Sequence, residues 1–241
     1  MEKIKFQIDN KECEALYGQM LVDAARDNGI YIPTLCNMQG TNPCGSCRVC
    51  TVKINGRYAT ACTTPVACGM EIESETDEIQ EIRNALIELL FNEGNHFCPT
   101  CEMSGNCDLQ ALGYRFDIMA PRFSYQWPKR AVNTDCPYLI IDYNRCIRCK
   151  RCIRSIKDEQ GKSYFAFLNR GDKIEVSIDT MMAKNMSKEL AELAAKNCPV
   201  GSILLKGTAY KTPIGERKYD KNRIGSCVEN AQFTAKMEEL K

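Results

Sequence analysis

Residues 3–9, "KIKFQID", alternate polar and apolar side chains with the period of a half-buried strand, and "KECEAL" just after them predicts a second short strand. The spacing then becomes helical in "QMLVDAARDNG", and Gly29 is placed to stop that run. Strand character returns in "CTVKINGRYATAC", where Asn55-Gly56 is the dipeptide of a tight hairpin turn. "MEIES" predicts a last strand. Together these elements predict a small mixed sheet with one short helix over residues 1–75.

The pattern changes at "SETDEIQEIRNALIELLFNEG", where Ile79, Ile82, Leu86, Leu89 and Leu90 fall on one helical face. The acidic first turn suits the positive end of the helix dipole, and Gly94 follows the run. A region over 76–130 is expected to be helical. The irregular, proline-containing "SYQWPKRAVNTDCPY" predicts a linker into a third region, 131–205. That region holds "NRCIRCKRCIRSIKDE", a polar middle, the amphipathic "SKELAELAAKN" and "CPVGSILL". Residues 206–241 are polar and charged, and predict an extended arm for docking a partner.

Composition changes this picture in one respect. Of 241 residues, 44% are hydrophobic and 26% charged, as in a soluble globular chain, yet 16 are cysteine. The start, "MEKIKFQIDNKECEAL", has no apolar core of a signal peptide, and no run of 18 apolar residues is present. A cytoplasmic, reducing location is therefore expected, where clustered thiols point to metal and not to disulfides. The formal net charge of +1 gives no whole-chain argument for nucleic acid.

Eleven of the 16 cysteines fall into three groups. Cys146, Cys149 and Cys152 form C-x2-C-x2-C, and Cys198 precedes Pro199. Bacterial ferredoxins use C-x2-C-x2-C-x3-C-P runs in which the fourth cysteine serves the other cluster. Ile156 occupies that fourth position here, and Lys188, Ala191 and Ala194 occupy the three ligand positions before Cys198. What remains is one complete set, Cys146, Cys149, Cys152 and Cys198, for a single 4Fe–4S cluster. The alternative, a zinc site, would pair C-x2-C with a distant C-x2-C or histidine pair.

Cys36, Cys47, Cys50 and Cys62 follow C-x10-C-x2-C-x11-C, a lengthened form of the plant-type 2Fe–2S pattern. Gly45 and Ser46 allow backbone N–H groups to turn toward the sulfurs. Cys44 competes with them, since "CGSC" is also C-x2-C. The Cys47–Cys50 pair runs straight into the strand "TVKI", which leaves Cys44 a bystander or a neighbour of the ligands. The middle group, Cys98-x2-Cys101-x5-Cys107, has three thiols and no fourth nearby. His96, the only histidine, stands two residues before Cys98, and imidazole replaces thiolate in some iron–sulfur centres. His96, Cys98, Cys101 and Cys107 then complete a second 4Fe–4S set.

These groups, in this order, resemble the N-terminal iron–sulfur segment of the large electron-transfer subunit of respiratory complex I. "YIPTLC", "CRVCTVKINGRYATAC", "EGNHFCPTCEMSGNCDLQALGY", "RCIRCKRC", "CPVGSIL" and the "PIGERKY" tail look most like the small diaphorase (gamma) subunits of cytoplasmic NAD-reducing, bidirectional NiFe hydrogenases. Complex I relatives place histidine at H-x3-C, where this chain has Gly94; its own spacing is H-x-C. The resemblance implies an α+β chain built from a β-grasp 2Fe–2S domain, a helical His/Cys3 4Fe–4S segment, a ferredoxin-like 4Fe–4S domain and the C-terminal arm.

It further implies a non-catalytic, electron-transfer subunit of a hydrogen:NAD oxidoreductase. Electrons would pass reversibly between the large and small hydrogenase subunits, which carry the NiFe centre, and a diaphorase subunit that binds FMN and NAD. In keeping with this, no G-x-G fingerprint of a dinucleotide site occurs, and no catalytic residues are predicted. A formate dehydrogenase or an electron-bifurcating hydrogenase could use the same kind of wire, and a zinc-stabilised interaction module is the reading from a different class. Arg145, Arg148, Lys150, Arg151 and Arg154 interleave the third cysteine group. Neutralisation of cluster charge or docking to an acidic partner accounts for them better than nucleic acid does.

Overall fold

The computed structural model describes residues 3–230; residues 231–241 of the expected arm lie outside the described residues. The first unit is a five-stranded mixed sheet in the order β2-β1-β5-β3-β4. Its strands are β1 (Lys3–Ile8), β2 (Lys11–Leu16), β3 (Thr51–Ile54), β4 (Arg57–Thr60) and β5 (Glu71–Glu73). β1 and β5 run parallel, and the other pairs are antiparallel. In β1 every second residue is buried, so Ile4, Phe6 and Ile8 face the core. Helix α1 (Leu21–Asp27) covers that face with Leu21, Val22, Ala24 and Ala25. The β3–β4 turn has positive φ at both Asn55 (47°) and Gly56 (79°), as a two-residue hairpin requires.

Helix α2 (Asp77–Asn92) begins with Thr76, whose side chain accepts from the Ile79 N–H and caps an otherwise open helix end. Its buried face differs from the one the apolar spacing predicts. Ile79 is buried, but Leu89 is exposed, and Arg83, Ile87, Glu88 and Asn92 point inward. The reason is that α2 packs on β3 and on α3 (Asp108–Arg115), and distant segments supply partners for its polar residues. The Arg83 guanidinium, 0% exposed, donates to the Thr51 carbonyl and to Ser74 Oγ at 3.0 Å each. Glu88 accepts from Arg122, and Asn92 donates to the Phe123 carbonyl.

The third unit has a three-stranded sheet, β10-β7-β6, from β6 (Val132–Asn133), β7 (Leu139–Asp142) and β10 (Ile203–Leu205). The expected linker thus carries a short strand. The polar middle also forms more than a loop. β8 (Phe165–Leu168) and β9 (Glu175–Ile178) pair as a hairpin and bury Phe165, Val176 and Ile178. Helices α4 (Arg151–Ser155), α5 (Thr180–Lys184) and α6 (Lys188–Asn197) complete the unit. α6 is capped by Ser187 and buries only Ala191 and Ala194. These small residues stand where the ferredoxin pattern would place cysteines.

Residues 206–225 form turns and bends, and 226–230 a short helical turn, laid across the middle segment. Tyr219 donates through its N–H to the Gly105 carbonyl and through its hydroxyl to Asp108. Arg217 donates to the Ser104 carbonyl, and Arg115 holds the Ile224 carbonyl and Glu229. No helix among the described residues is long and apolar enough to cross a membrane.

Candidate metal centres

The β3–β4 hairpin gathers part of the first cysteine group. Thr51 stands opposite Thr60, and one step along the ladder the Ala61 N–H donates to the Cys50 carbonyl at 3.1 Å. Cys50 and Cys62 therefore lie at the same end of the hairpin, with their thiols in hydrogen-bonding contact. Cys36, on the loop after α1, contacts Cys47 and Cys62, and all four cysteines are buried. Gly45 (φ 58°) and Arg48 (φ 61°) adopt left-handed backbone, which curls the loop so that the Ser46 and Cys47 N–H groups reach the Cys36 sulfur. Hydrogen bonds from Cys47 and Cys62 draw Cys36 strongly toward its thiolate, while bonding to Cys36 pushes both partners up. Cys44 also touches Cys36, and its thiol donates to the Cys149 carbonyl at 3.8 Å.

Cys146, Cys149, Cys152 and Cys198 line one apolar cavity beneath Tyr143 and Phe165. The C-x2-C-x2-C turn is shaped by two left-handed residues, Arg148 (φ 54°) and Lys150 (φ 63°), before α4 begins. Cys198 ends α6, and the Val200, Ser202 and Ile203 N–H groups point at its sulfur. Burial raises Cys198 to about 11, and it pushes Cys146 and Cys149 up as well. Such thiols are neutral when nothing binds them, so a metal held here would have to displace their protons.

His96, Cys98, Cys101 and Cys107 line a third cavity together with Phe91, Gln110, Arg145 and Gly201. Cys107 caps α3, its sulfur accepting from the Gln110 N–H at 3.5 Å, and burial raises its thiol to about 12. The His96 ring stands edge-on to Phe91, and burial, followed by the Arg145 charge, lowers it to about 4. The imidazole is therefore neutral, the form that can bind a metal. Its buried Nε2 has no hydrogen-bond partner among the described residues. A side chain at Gly94 would collide with that ring, and a Cβ at Gly201 would stand 2.8 Å from the Cys101 sulfur. An orphaned nitrogen, three thiols and two glycines kept bare beside them fit a 4Fe–4S cluster bound through histidine.

Among the described residues no three His, Cys, Asp or Glu side chains close on a single point as the ligands of one ion do. The second and third donor sets stand around cavities, which suits a cluster. The three sets are also contiguous. Cys36, Cys47, Cys107 and Cys149 share one apolar core with Leu35, Val49 and Ile147, and Cys44 and Cys198 pack against it.

The basic run ties these units together. Arg154 donates to the Cys36 and Asn42 carbonyls and to Thr41 Oγ1 at 3.3 Å. Arg148 pairs with Glu93, Arg151 with Asp108 at 3.4 Å, and Arg145 with Glu102 and Asp142. Lys150 lies 5.5 Å from the centre of the Phe167 ring. Cysteine spacing reveals neither the Arg154 clamp nor the Gly201 contact, because their partners come from distant parts of the chain.

Comparison with known proteins gives a consistent result. A model of a 2Fe-2S iron-sulfur cluster binding domain matches residues 1–77. The iron-sulfur binding region of NADH-ubiquinone oxidoreductase-G matches 83–122, and the ferredoxin-like domain of NADH-quinone oxidoreductase subunit 3 matches 136–204. The chain thus carries binding domains for both 2Fe–2S and 4Fe–4S clusters. It is similar to subunit gamma of the NAD-reducing hydrogenase HoxS from Cupriavidus necator, with 44% identity over 90% of this chain and 93% of that one. A solved chain from an NAD+-reducing [NiFe]-hydrogenase in the H2-reduced state superposes with a TM-score of 0.86 at 35% identity, covering 92% of this chain and 95% of that one. The alpha subunit of an NADPH-Fe(3+) oxidoreductase from Geobacter sulfurreducens is 32% identical over 86% of this chain, but the match spans only 25% of that longer protein.

Proposed function

The chain belongs to the family of NAD-reducing hydrogenase gamma subunits, and from that premise we propose that it conducts electrons between a NiFe hydrogenase module and a flavin- and NAD-binding diaphorase subunit, in the cytoplasm and in either direction. Cys36, Cys47, Cys50 and Cys62 would hold a 2Fe–2S cluster. His96, Cys98, Cys101 and Cys107 would hold one 4Fe–4S cluster, and Cys146, Cys149, Cys152 and Cys198 the other. The clusters supply the chemistry, each taking up and releasing an electron. FMN, NAD and the NiFe centre belong to the partner subunits.

The observation that carries this reading is the shared core, in which residues of all three donor sets touch one continuous apolar cluster. The chain's own residues would fix where the clusters lie and what surrounds them. Cys44 bridges from Cys36 to the Cys149 carbonyl, and Gly201, three residues after Cys198, packs on Cys101. These contacts support an order in which the Cys146 group lies between the Cys36 group and the His96 group. Residues 1–75, 76–130 and 131–205 then act as three cluster-bearing units, and 206–241 as the arm that docks a partner.

The test is anaerobic purification of the tagged full chain from its own cells. Hydrogenase large and small subunits and a flavin subunit should co-purify, with NAD reduction that depends on hydrogen. Co-purification with a formate-oxidising subunit, and NAD reduction driven by formate alone, would overturn the assignment.

A further inference from the structure

We propose that Arg145 raises the reduction potential of the cluster held by His96, Cys98, Cys101 and Cys107 by donating a charged hydrogen bond to the Cys101 sulfur; this rests on the reading of those four residues as ligands. Arg145 is the residue before Cys146, so the loop of one donor set carries it, yet its side chain lines the cavity of another. Its Nη1 lies 3.6 Å from Cys101 Sγ and 3.4 Å from the Gly201 carbonyl. Glu102 accepts from the same nitrogen, and Asp142 accepts from Nε at 3.0 Å. Two carboxylates thus orient the guanidinium, while the group that meets the sulfur is the cation. Its side chain is only 21% exposed, so water screens the contact weakly.

The sign of the effect follows from charge. Reduction adds one electron to the cluster and no proton to Cys101, so the sulfurs become more negative by a share of one unit. A guanidinium keeps its charge at any working pH, and a hydrogen bond to an anion is stronger than one between neutral groups. The contact therefore favours the reduced state over the oxidised one. Replacing thiolate by imidazole at His96 acts in the same direction. Both features act in the same sense on the potential of this one cluster. The 2Fe–2S donor set has a different device, the Ser46 and Cys47 N–H groups on Cys36.

The test is a redox titration of the anaerobically purified full chain, followed by EPR, for wild type, Arg145→Gln and Arg145→Lys, with iron and sulfide counted in each. In Arg145→Gln the reduced-to-oxidised ratio of the His96 cluster at a fixed potential should fall about tenfold, which is about 59 mV for a one-electron couple. Arg145→Lys keeps the charge without the planar fork and should shift partway, while the 2Fe–2S potential stays in place. An unshifted His96 cluster in fully loaded Arg145→Gln overturns the proposal, as does loss of that cluster from both variants, which would make Arg145 a structural clamp. Absence of a His96-dependent cluster from wild type would instead defeat the ligand assignment beneath it.

Discussion

Replacing Arg154 with alanine should loosen the 2Fe–2S unit from the ferredoxin-like unit without unfolding either. The side chain makes three bonds across the junction, to the carbonyls of Cys36 and Asn42 and to Thr41 Oγ1. A hydrogen bond involving a charged group contributes about 1.5–3 kcal/mol when well buried, and the partial exposure of Arg154 lowers that to about 1 kcal/mol for each. The junction should lose about 2–4 kcal/mol, which is a loosening of about thirtyfold to several hundredfold. Hydrogen exchange on the iron-loaded chain reads this directly. The reporting amides are Thr41, bonded to the Met38 carbonyl, and Ser46 and Cys47, bonded to the Cys36 sulfur. Their exchange should speed up by that factor while β1 amides, inside the sheet, stay protected. The magnetic interaction between the 2Fe–2S cluster and the neighbouring 4Fe–4S cluster should weaken in parallel. Unchanged exchange at these three amides in Arg154→Ala would refute the clamp.

Other consequences can be checked as directly. Gly201→Ala places a Cβ 2.8 Å from the Cys101 sulfur and 3.3 Å from Met103 Cβ, so it should cost about 1–3 kcal/mol and selectively weaken the His96 cluster; thermal bleaching followed by EPR would show whether only that signal is lost early. Cys44→Ser should leave the iron content and the 2Fe–2S spectrum in place, because its hydroxyl can still donate to the Cys149 carbonyl; loss of the 2Fe–2S signal would make Cys44 a ligand. Glu229 is held below its ordinary value of 4.5 by its hydrogen bond from Arg115, so its contribution to arm docking is complete above 4.5 and disappears as pH falls through the lowered value. Asp220, held near 2 by Arg217, stays charged in that window. Protection of residues 217–229 from proteolysis should therefore fall in acid, and Glu229→Gln should show the weaker docking already at neutral pH.

The features legible in the sequence are those in which the signal and its cause lie close together in the chain. Alternation in β1 reports its one buried face, and Asn55-Gly56 reports the positive φ angles of its turn. C-x2-C-x2-C places three thiols around one loop, so Cys146, Cys149 and Cys152 could be grouped with Cys198 and its following proline. The contact between Cys36 and Cys62 was legible only as a pattern of spacing; the hairpin register is what brings the strand ends together. α2 escaped the periodicity because Arg83, Glu88 and Asn92 find partners in Thr51, Arg122 and Phe123, which no local window contains. The arginines of the basic run read as a charged patch in the sequence. In the fold each reaches a different segment, and their clamping role depends on tertiary contacts that composition does not carry.

The most direct test of the account is iron and acid-labile sulfide per chain on anaerobically purified protein, measured beside His96→Ala and accompanied by EPR. One 2Fe–2S and two 4Fe–4S clusters require about 10 iron and about 10 sulfide per chain, and His96→Ala should lose or degrade one 4Fe–4S cluster while keeping the other two. About 6 iron in the wild type, an unchanged count and spectrum in the variant, or zinc in place of iron would contradict it.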